Sequence, residues 1–295
     1  MLKIIRNFVN GLAFGAIQTV PSISAGTIAI ILGFYFDLIR AVNHFGENAR
    51  KHLQLLIPIL LGIVAGILLF SSLVAFLLER FSFPTMLFFM GLIIGILPHI
   101  FAKIREDGSG IGVKHVLLML LPFPALLLMA GLRGESAADP AEVIAGINVP
   151  FMIFIFFAGI LAAAALVVPG ASGSFFLLML GIYHVVIYSI RSIRLFLADI
   201  ANTELLLDIL RVMGPLGLGI IVGGLCAVRL IEKLLENHQK TLYSVIFGLM
   251  AASVVVLLMD PLVYRSGISP PVVAAGIAMF CLGCASSFFL GKKRL

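Results

Sequence analysis

Long uncharged apolar stretches dominate the chain, and unbroken runs such as Ile57–Phe70 and Val245–Met259 predict helices. The pattern predicts them over about 55–78, 84–102, 116–132, 212–231, 241–259 and 270–290, each close to the ~20 apolar residues that a bilayer requires. Two regions, 8–40 and 149–190, read differently. Each has an apolar arm, a Pro/Ser/Gly break and a second apolar arm. The arms after the breaks, Thr27–Ile39 and Ser174–Ile190, are short for a span, and those before them are borderline. The simplest reading is a re-entrant helical hairpin; two broken or tilted spans are the alternative. Strands of a transmembrane barrel alternate in polarity over ~10 residues, and these runs do not. The expected fold is all-α and polytopic in a membrane.

The two broken regions are copies of one design. GLAFGAIQTVPSISAGTIAIILGFYFDLI at 11–39 and GILAAAALVVPGASGSFFLLMLGIYHVVI at 159–187 align at a constant spacing of 148 positions. Gly11 meets Gly159, Val20-Pro21 meets Val168-Pro169, Ser24 meets Ser172, Leu32-Gly33 meets Leu180-Gly181, and Tyr35 meets Tyr183. After a gap the spacing becomes 157: Gly62 and Gly66 meet Gly219 and Gly223, Leu77-Leu78-Glu79 meets Leu234-Leu235-Glu236, and Gly91 meets Gly248. Two blocks in the same order indicate an internal duplication. The expected division is a first repeat at 1–132 (hairpin 8–40, spans 55–132), an external linker at 133–148, and a second repeat at 149–295 (hairpin 149–190, spans 212–290). A hairpin adds zero crossings or two, so each half crosses an odd number of times. The halves then face opposite ways, an inverted-topology repeat.

Composition agrees. Hydrophobic residues are 61% and charged residues 12%, against roughly 45–50% and about 25% in soluble domains. A mean hydropathy of +1.18 excludes a cytosolic enzyme, a disordered protein and a secreted disulfide scaffold. The net charge of +6 follows the positive-inside rule better than nucleic-acid binding, because the basic residues are scattered at helix ends. Lys3 and Arg6, with Lys292-Lys293-Arg294, predict both termini in the cytoplasm. The 103–115 and 229–240 loops then fall inside and 133–148 outside; Arg191, Arg194 and Arg211 in a 191–211 loop are the misfit. The N-terminus has the pattern of a signal peptide, and the repeat argues that it is retained.

The chemistry concentrates at the breaks, Pro21-Ser22-Ile23-Ser24-Ala25-Gly26-Thr27 and Pro169-Gly170-Ala171-Ser172-Gly173-Ser174. Pro ends the first arm, and Ser or Thr caps the next helix. Unpaired N–H groups at such a helix start suit a phosphate or carboxylate. One break alone reads as a kink whose hydroxyls bond back to the backbone. Two breaks at equivalent positions point to a transporter site. Arg229 follows an apolar run and reads either as an interfacial anchor or as a phosphate ligand. Glu79 and Arg80 at a helix end, Asp37 after Tyr35, and Tyr183 with His184 are further candidates for gating or coupling, each also readable as an ordinary helix-end group. Cys226, Cys281 and Cys284 read as small packing residues, and no histidines have metal-ligand spacing. No nucleophile–base–acid set or Walker motif is present, since Gly170-Ala171-Ser172-Gly173 only superficially resembles a nucleophile elbow. The expectation is a transporter rather than an enzyme, with no cofactor; proton or sodium coupling and homo-oligomerisation stay open.

PGASGSFFLLMLGIY at 169–183, PSISAGTIAIILGFY at 21–35, and LLGIVAGILLFSSLVAFLLERFSFPTMLFFMGLIIGILP at 60–98 resemble the PopT-type polyprenyl-phosphate translocase family, long catalogued as a domain of unknown function. The first motif departs from the family pattern at Ser22 and Ala25, where glycine is usual. An Arg common near the position of Ser72 is kept here in the repeat equivalent, Arg229. The resemblance implies movement of undecaprenyl phosphate, the carrier lipid of envelope polymers including peptidoglycan, from the outer to the inner leaflet of the bacterial cytoplasmic membrane. For such a substrate the helix starts, hydroxyls and arginine at the breaks are the expected phosphate contacts: Ser22, Ser24, Gly26, Thr27, Gly170, Ser172, Gly173, Ser174 and Arg229. The competing readings are a carrier of a small water-soluble anion, a lipid-phosphate enzyme, and a purely structural membrane protein.

Overall fold

The computed structural model describes residues 2–18, 24–106, 108, 110–131, 140–265, 267 and 269–294. The fold is all-helical, and no strand occurs among the described residues. The first part of the chain forms α1 (Leu2–Gln18), α2 (Ala25–Ile31), α3 (Tyr35–Asn43), α4 (Ala49–Arg80), α5 (Ser82–Ile104), α6 (Val113–Leu120) and α7 (Pro122–Gly131). Then come α8 (Pro140–Ala145), α9 (Val149–Val167), α10 (Gly173–Met179), α11 (Tyr183–Ala198), α12 (Thr203–Asn237), α13 (Gln239–Leu258) and, after a 3₁₀ turn at Pro261–Tyr264, α14 (Pro270–Arg294).

Element boundaries follow the sequence repeat. α2 and α10 are both seven residues long and begin 148 positions apart, as do α3 and α11. Gly33 and Gly181, also 148 apart, both turn the chain at positive φ, 71° and 73°. α4 and α12 end 157 positions apart, and α5 and α13 begin 157 apart. Even the prolines inside α4 and α12, Pro58 and Pro215, are equivalent.

Six of the described helices are long and apolar enough to cross a bilayer: α4, α5, α9, α12, α13 and α14 through Lys292. The chain is thus a multi-pass membrane protein. Only 17% of the most apolar window of α4 or α14 is buried, against 50% in α5 and α13. Lipid therefore covers the former and protein the latter, since such faces have no place in water. The expected single helix over 116–132 is two pieces, α6 and α7, because Pro122 and Pro124 remove two backbone donors. The expected 191–211 loop is mostly helix, with only residues 199–202 between α11 and α12. Arg211 pairs with Asp208 at 3.0 Å inside α12. At 35 residues and 1.5 Å per residue, α12 is about 52 Å long and overhangs a ~30 Å hydrocarbon core. The same overhang carries Arg229 and Lys233 on helix rather than loop. Of the expected linker at 133–148, residues 133–139 lie outside the described residues, while 140–145 form α8.

By packing, the chain divides into two compact units. One holds residues 1–128, 168–171 and 228–295; the other holds 129–167 and 172–227. In the first, α1 lies on α4 through glycines on both sides. A Cβ at Gly11 or Gly15 would strike the carbonyl oxygens of Ile59 or Ile63, and one at Gly62 or Gly66 those of Phe8 or Leu12. Without a hydrophobic drive between helices in lipid, such close backbone approach supplies the packing energy. α5 packs on α14 in the same way, with Gly91 and Gly95 against the carbonyls of Phe280 and Cys284. α13 packs on α6, with Gly248 against the Met119 carbonyl. Gly91 and Gly248, 157 positions apart, thus both seat a helix crossing, one on α14 and the other on α6. The second unit reproduces the first crossing between α9 and α12, where Gly159, Gly219 and Gly223 meet the carbonyls of Leu216, Phe156 and Ile160. Its core joins Ile144, Ile155, Val185, Val186, Val212 and Leu216.

Candidate functional site

Beyond each break the chain packs against the helix that precedes the break. Phe14 of α1 lies 6.0 Å, ring to ring, from Phe34 beyond α2. Gly173, the first residue of α10, lies so close to α9 that a Cβ would come within 2.6 Å of the Ala162 carbonyl oxygen. The local cause is the expected one. α9 stops at Val167 ahead of Pro169, and Gly170 takes φ +88°, a left-handed conformation that favours glycine. Space demands glycine there too, because a Cβ would fall 2.5 Å from the Leu249 carbonyl carbon of α13.

The tips of the two breaks are joined. The buried Gly170 N–H donates to Thr27 Oγ1 at 2.9 Å, and Thr27 is only 1% exposed. Ser24 Oγ donates to the Val168 carbonyl at 3.4 Å. That carbonyl also receives the Ala171 N–H at 3.3 Å. Residues 168–171 pack with the first unit for this reason. Ser24 is the N-cap residue of α2, and its carbonyl receives the Ile28 N–H, but its hydroxyl makes no cap bond and serves the other break instead. Gly26 is buried beside it. In the second unit Ser172 is the N-cap residue of α10, also extended and also without a side-chain cap bond, and its Oγ lies 3.0 Å from Ser174 Oγ. Ser174 is exposed and Ser172 half-buried. α2 and α10 are two turns each, about 10 Å, so hydroxyls and individual N–H groups, rather than long helix dipoles, define the chemistry here.

The other expected residues are spread more widely. Ser22 lies outside the described residues. Arg229 is exposed on α12, with no hydrogen bond to either break among the described residues. Tyr35 is buried as the first residue of α3, edge-on to Phe36; Asp37 is exposed in the first turn of that helix, where a negative charge is favoured. Tyr183 starts α11, edge-on to His184. Glu79 and Arg80 are exposed at the end of α4. No cluster of metal-binding side chains occurs among the described residues. The roles of the Val168 carbonyl and of the α13 backbone under Gly170 are not legible in the sequence, since a carbonyl carries no residue signature. The contact between His44 and Glu232, 188 positions apart, is likewise not legible in the sequence.

Residues 14–266 match the family described as VCA0040-like, undecaprenyl phosphate translocase-like. The chain belongs to that family. The match takes in both breaks of this translocase-like chain, and the resemblance drawn from the break motifs holds. The chain is 28% identical over 248 residues to a polyprenyl-phosphate transporter of Staphylococcus aureus, covering 84% of this chain and 83% of that protein. It is 26% identical over 263 residues to a polyprenyl-phosphate transporter of Vibrio cholerae, covering 84% of this chain and 76% of that one. No solved structure matches.

Proposed function

We propose that this protein returns undecaprenyl phosphate from the outer to the inner leaflet of the bacterial cytoplasmic membrane. Kinship with proteins named polyprenyl-phosphate transporters supports the substrate class. The observation that carries the reading is the junction of the two breaks through Thr27 and Gly170. A phosphate monoester bears about −1.5 to −2 charges and three acceptor oxygens. It crosses hydrocarbon only if donors replace its water, because an unpaired ion there is strongly disfavoured. In the junction the Gly170 N–H and the Ser24 hydroxyl already have partners, so neither of these donors is orphaned. A phosphate oxygen entering there takes over those donors while the chain stays satisfied. In this reading Ser22, Ser24, Gly26, Thr27 and Gly170 contact the headgroup. Ser172, Gly173 and Ser174 offer a separate set of hydroxyl and N–H donors, and Arg229 supplies a cation with the forked geometry that phosphate accepts.

The isoprenoid tail stays in lipid throughout. The repeats are inverted, both termini are cytoplasmic, and the halves alternate access to the two leaflets. Tyr35, Asp37, Tyr183, Glu79 and Arg80 are the residues proposed for gating. The protein catalyses no bond change and holds no cofactor.

The test uses purified protein in liposomes with labelled undecaprenyl phosphate and an impermeant phosphatase outside. The expected result is faster exposure of inner-leaflet phosphate than in empty liposomes, reduced in the Ser24→Ala, Ser172→Ala double variant. Exchange no faster than in empty liposomes, with or without an ion gradient, overturns the reading. Uptake of a soluble anion with no lipid requirement would replace it with the anion-carrier alternative.

A further inference from the structure

Glu232, in the last turns of α12, is only 4% exposed. Its Oε2 accepts a hydrogen bond from Asn43 Nδ2. Its Oε1 lies 3.0 Å from His44 Nε2. On the other edge of the ring, His44 Nδ1 lies 2.8 Å from Oε1 of Glu47, a residue whose side chain is 74% exposed. Asn43 is the last residue of α3 and His44 its C-cap. The helix that continues from the first break, through α2, therefore ends on a buried carboxylate of α12.

This geometry fixes a proton count. An ionised carboxylate only accepts hydrogen bonds, and a neutral imidazole has a single N–H. Two ring nitrogens facing two carboxylate oxygens need two protons among the three groups. Take one away and a nitrogen lone pair faces a carboxylate oxygen. Glu47 can then turn into water, but Glu232 cannot, and its charge is left with the Asn43 amide and a neutral ring. A buried carboxylate that loses its counter-charge is strongly destabilised.

We infer that His44 and Glu232 form a proton-binding site that latches α3 to α12, tight with the proton bound and weakened when it leaves. The effect on transport rests on the translocation reading: α3 follows α2 through the Gly33 turn, and α2 carries Thr27, so a change at the latch reaches the junction of the breaks. The hydrogen bond to Glu47 and the charge of Glu232 both raise the proton affinity of His44 above its usual value. On the elements that carry the pair, the other charged groups are Arg40 one turn back on α3 and Arg229, Lys233 and Glu236 flanking Glu232 on α12; Arg50, Lys51 and His52 begin α4, and Tyr243 of α13 interacts with Arg40 and Glu106. The acids that pair with His44 are Glu47 and Glu232.

Imidazole NMR on the full chain in lipid nanodiscs tests the site directly. His44 in the wild type is expected to titrate above the usual ~6.5. In Glu232→Gln the midpoint should fall towards the ordinary value, because the charge of Glu232 is one cause of the elevation, while Glu232→Asp keeps most of it. A wild-type midpoint at or below ~6.5, or one that Glu232→Gln leaves in place, overturns the inference; the wild-type titration decides even if a variant fails to fold. Undecaprenyl phosphate exchange in proteoliposomes is then measured against pH. It should change with the His44 midpoint and become flat in His44→Gln. A flat wild-type profile refutes the link to transport. No exchange at any pH sinks the translocation reading itself, and the titration still decides the proton site.

Discussion

Replacing Thr27 by Val removes one hydroxyl and preserves the shape of the side chain. The hydroxyl receives the Gly170 N–H at 2.9 Å, and both residues are buried. An amide N–H has one hydrogen, so the loss leaves a buried donor without an acceptor. Such an orphan costs about 1–3 kcal/mol. Hydrogen bonds between membrane helices average nearer ~0.6 kcal/mol when the freed groups find new partners. Here Gly170 is pinned by φ +88° and by the α13 backbone, so its N–H cannot turn to another acceptor. A loss of about 1–2 kcal/mol is therefore expected for Thr27→Val. Ser24→Ala is the internal control. It removes a donor to the Val168 carbonyl, which still receives the Ala171 N–H, so nothing is orphaned and the cost stays below about 1 kcal/mol. Reversible unfolding in mixed bicelles gives both stabilities, and the phosphatase-protection assay gives transport. Thr27→Ser keeps the acceptor and should retain exchange where Thr27→Val loses it. If Thr27→Val is as stable as wild type and transports as fast, the two breaks are not held by this bond and the argument for the junction fails.

Gly62→Ala should cost about 1–3 kcal/mol, because its Cβ would strike the Phe8 carbonyl. Gly217→Ala in α12, with open space around it, should gain about 0.5–1 kcal/mol from helix propensity; equal effects in unfolding titrations would contradict the close α1–α4 approach. Gly170→Ala meets both the positive φ and the α13 backbone, so little folded protein should be recovered, as judged by size-exclusion monodispersity. The proton affinity of His44 is raised in the folded state, so its stabilisation is present below the unfolded midpoint near ~6.5 and disappears as pH rises through the higher folded midpoint. Wild-type Tm should therefore drop relative to His44→Gln on going from pH 6 to pH 9, and parallel curves would argue against the His44 contacts.

Local chemistry determined much of this protein. Uninterrupted apolar runs set the spanning helices, because a bilayer accepts only backbones whose polar groups are paired within the segment. Pro169, Gly170 and the paired serines set the breaks, and Gly33 and Gly181 set the turns after them. The repeat spacing set which elements would match, down to the ends of α4 and α12. The division of 116–132 at Pro122 and Pro124 was also written locally, but hydropathy alone passes over it. Other features depend on contacts between residues far apart in the chain. That Thr27 meets Gly170, 143 positions away, is one. The seating of α5 on α14 and of α13 on α6 is another, and so is the burial of Glu232 under Asn43 and His44. Gly91 and Gly248 announce that a helix will approach closely, but a missing Cβ does not say which one. Ser24 and Thr27 announce hydroxyls at a helix start, where the ordinary partner is the helix's own N–H. Only the packed structure turned them to the backbone of the other break, because residues 168–171 bury their polar groups there and must find partners.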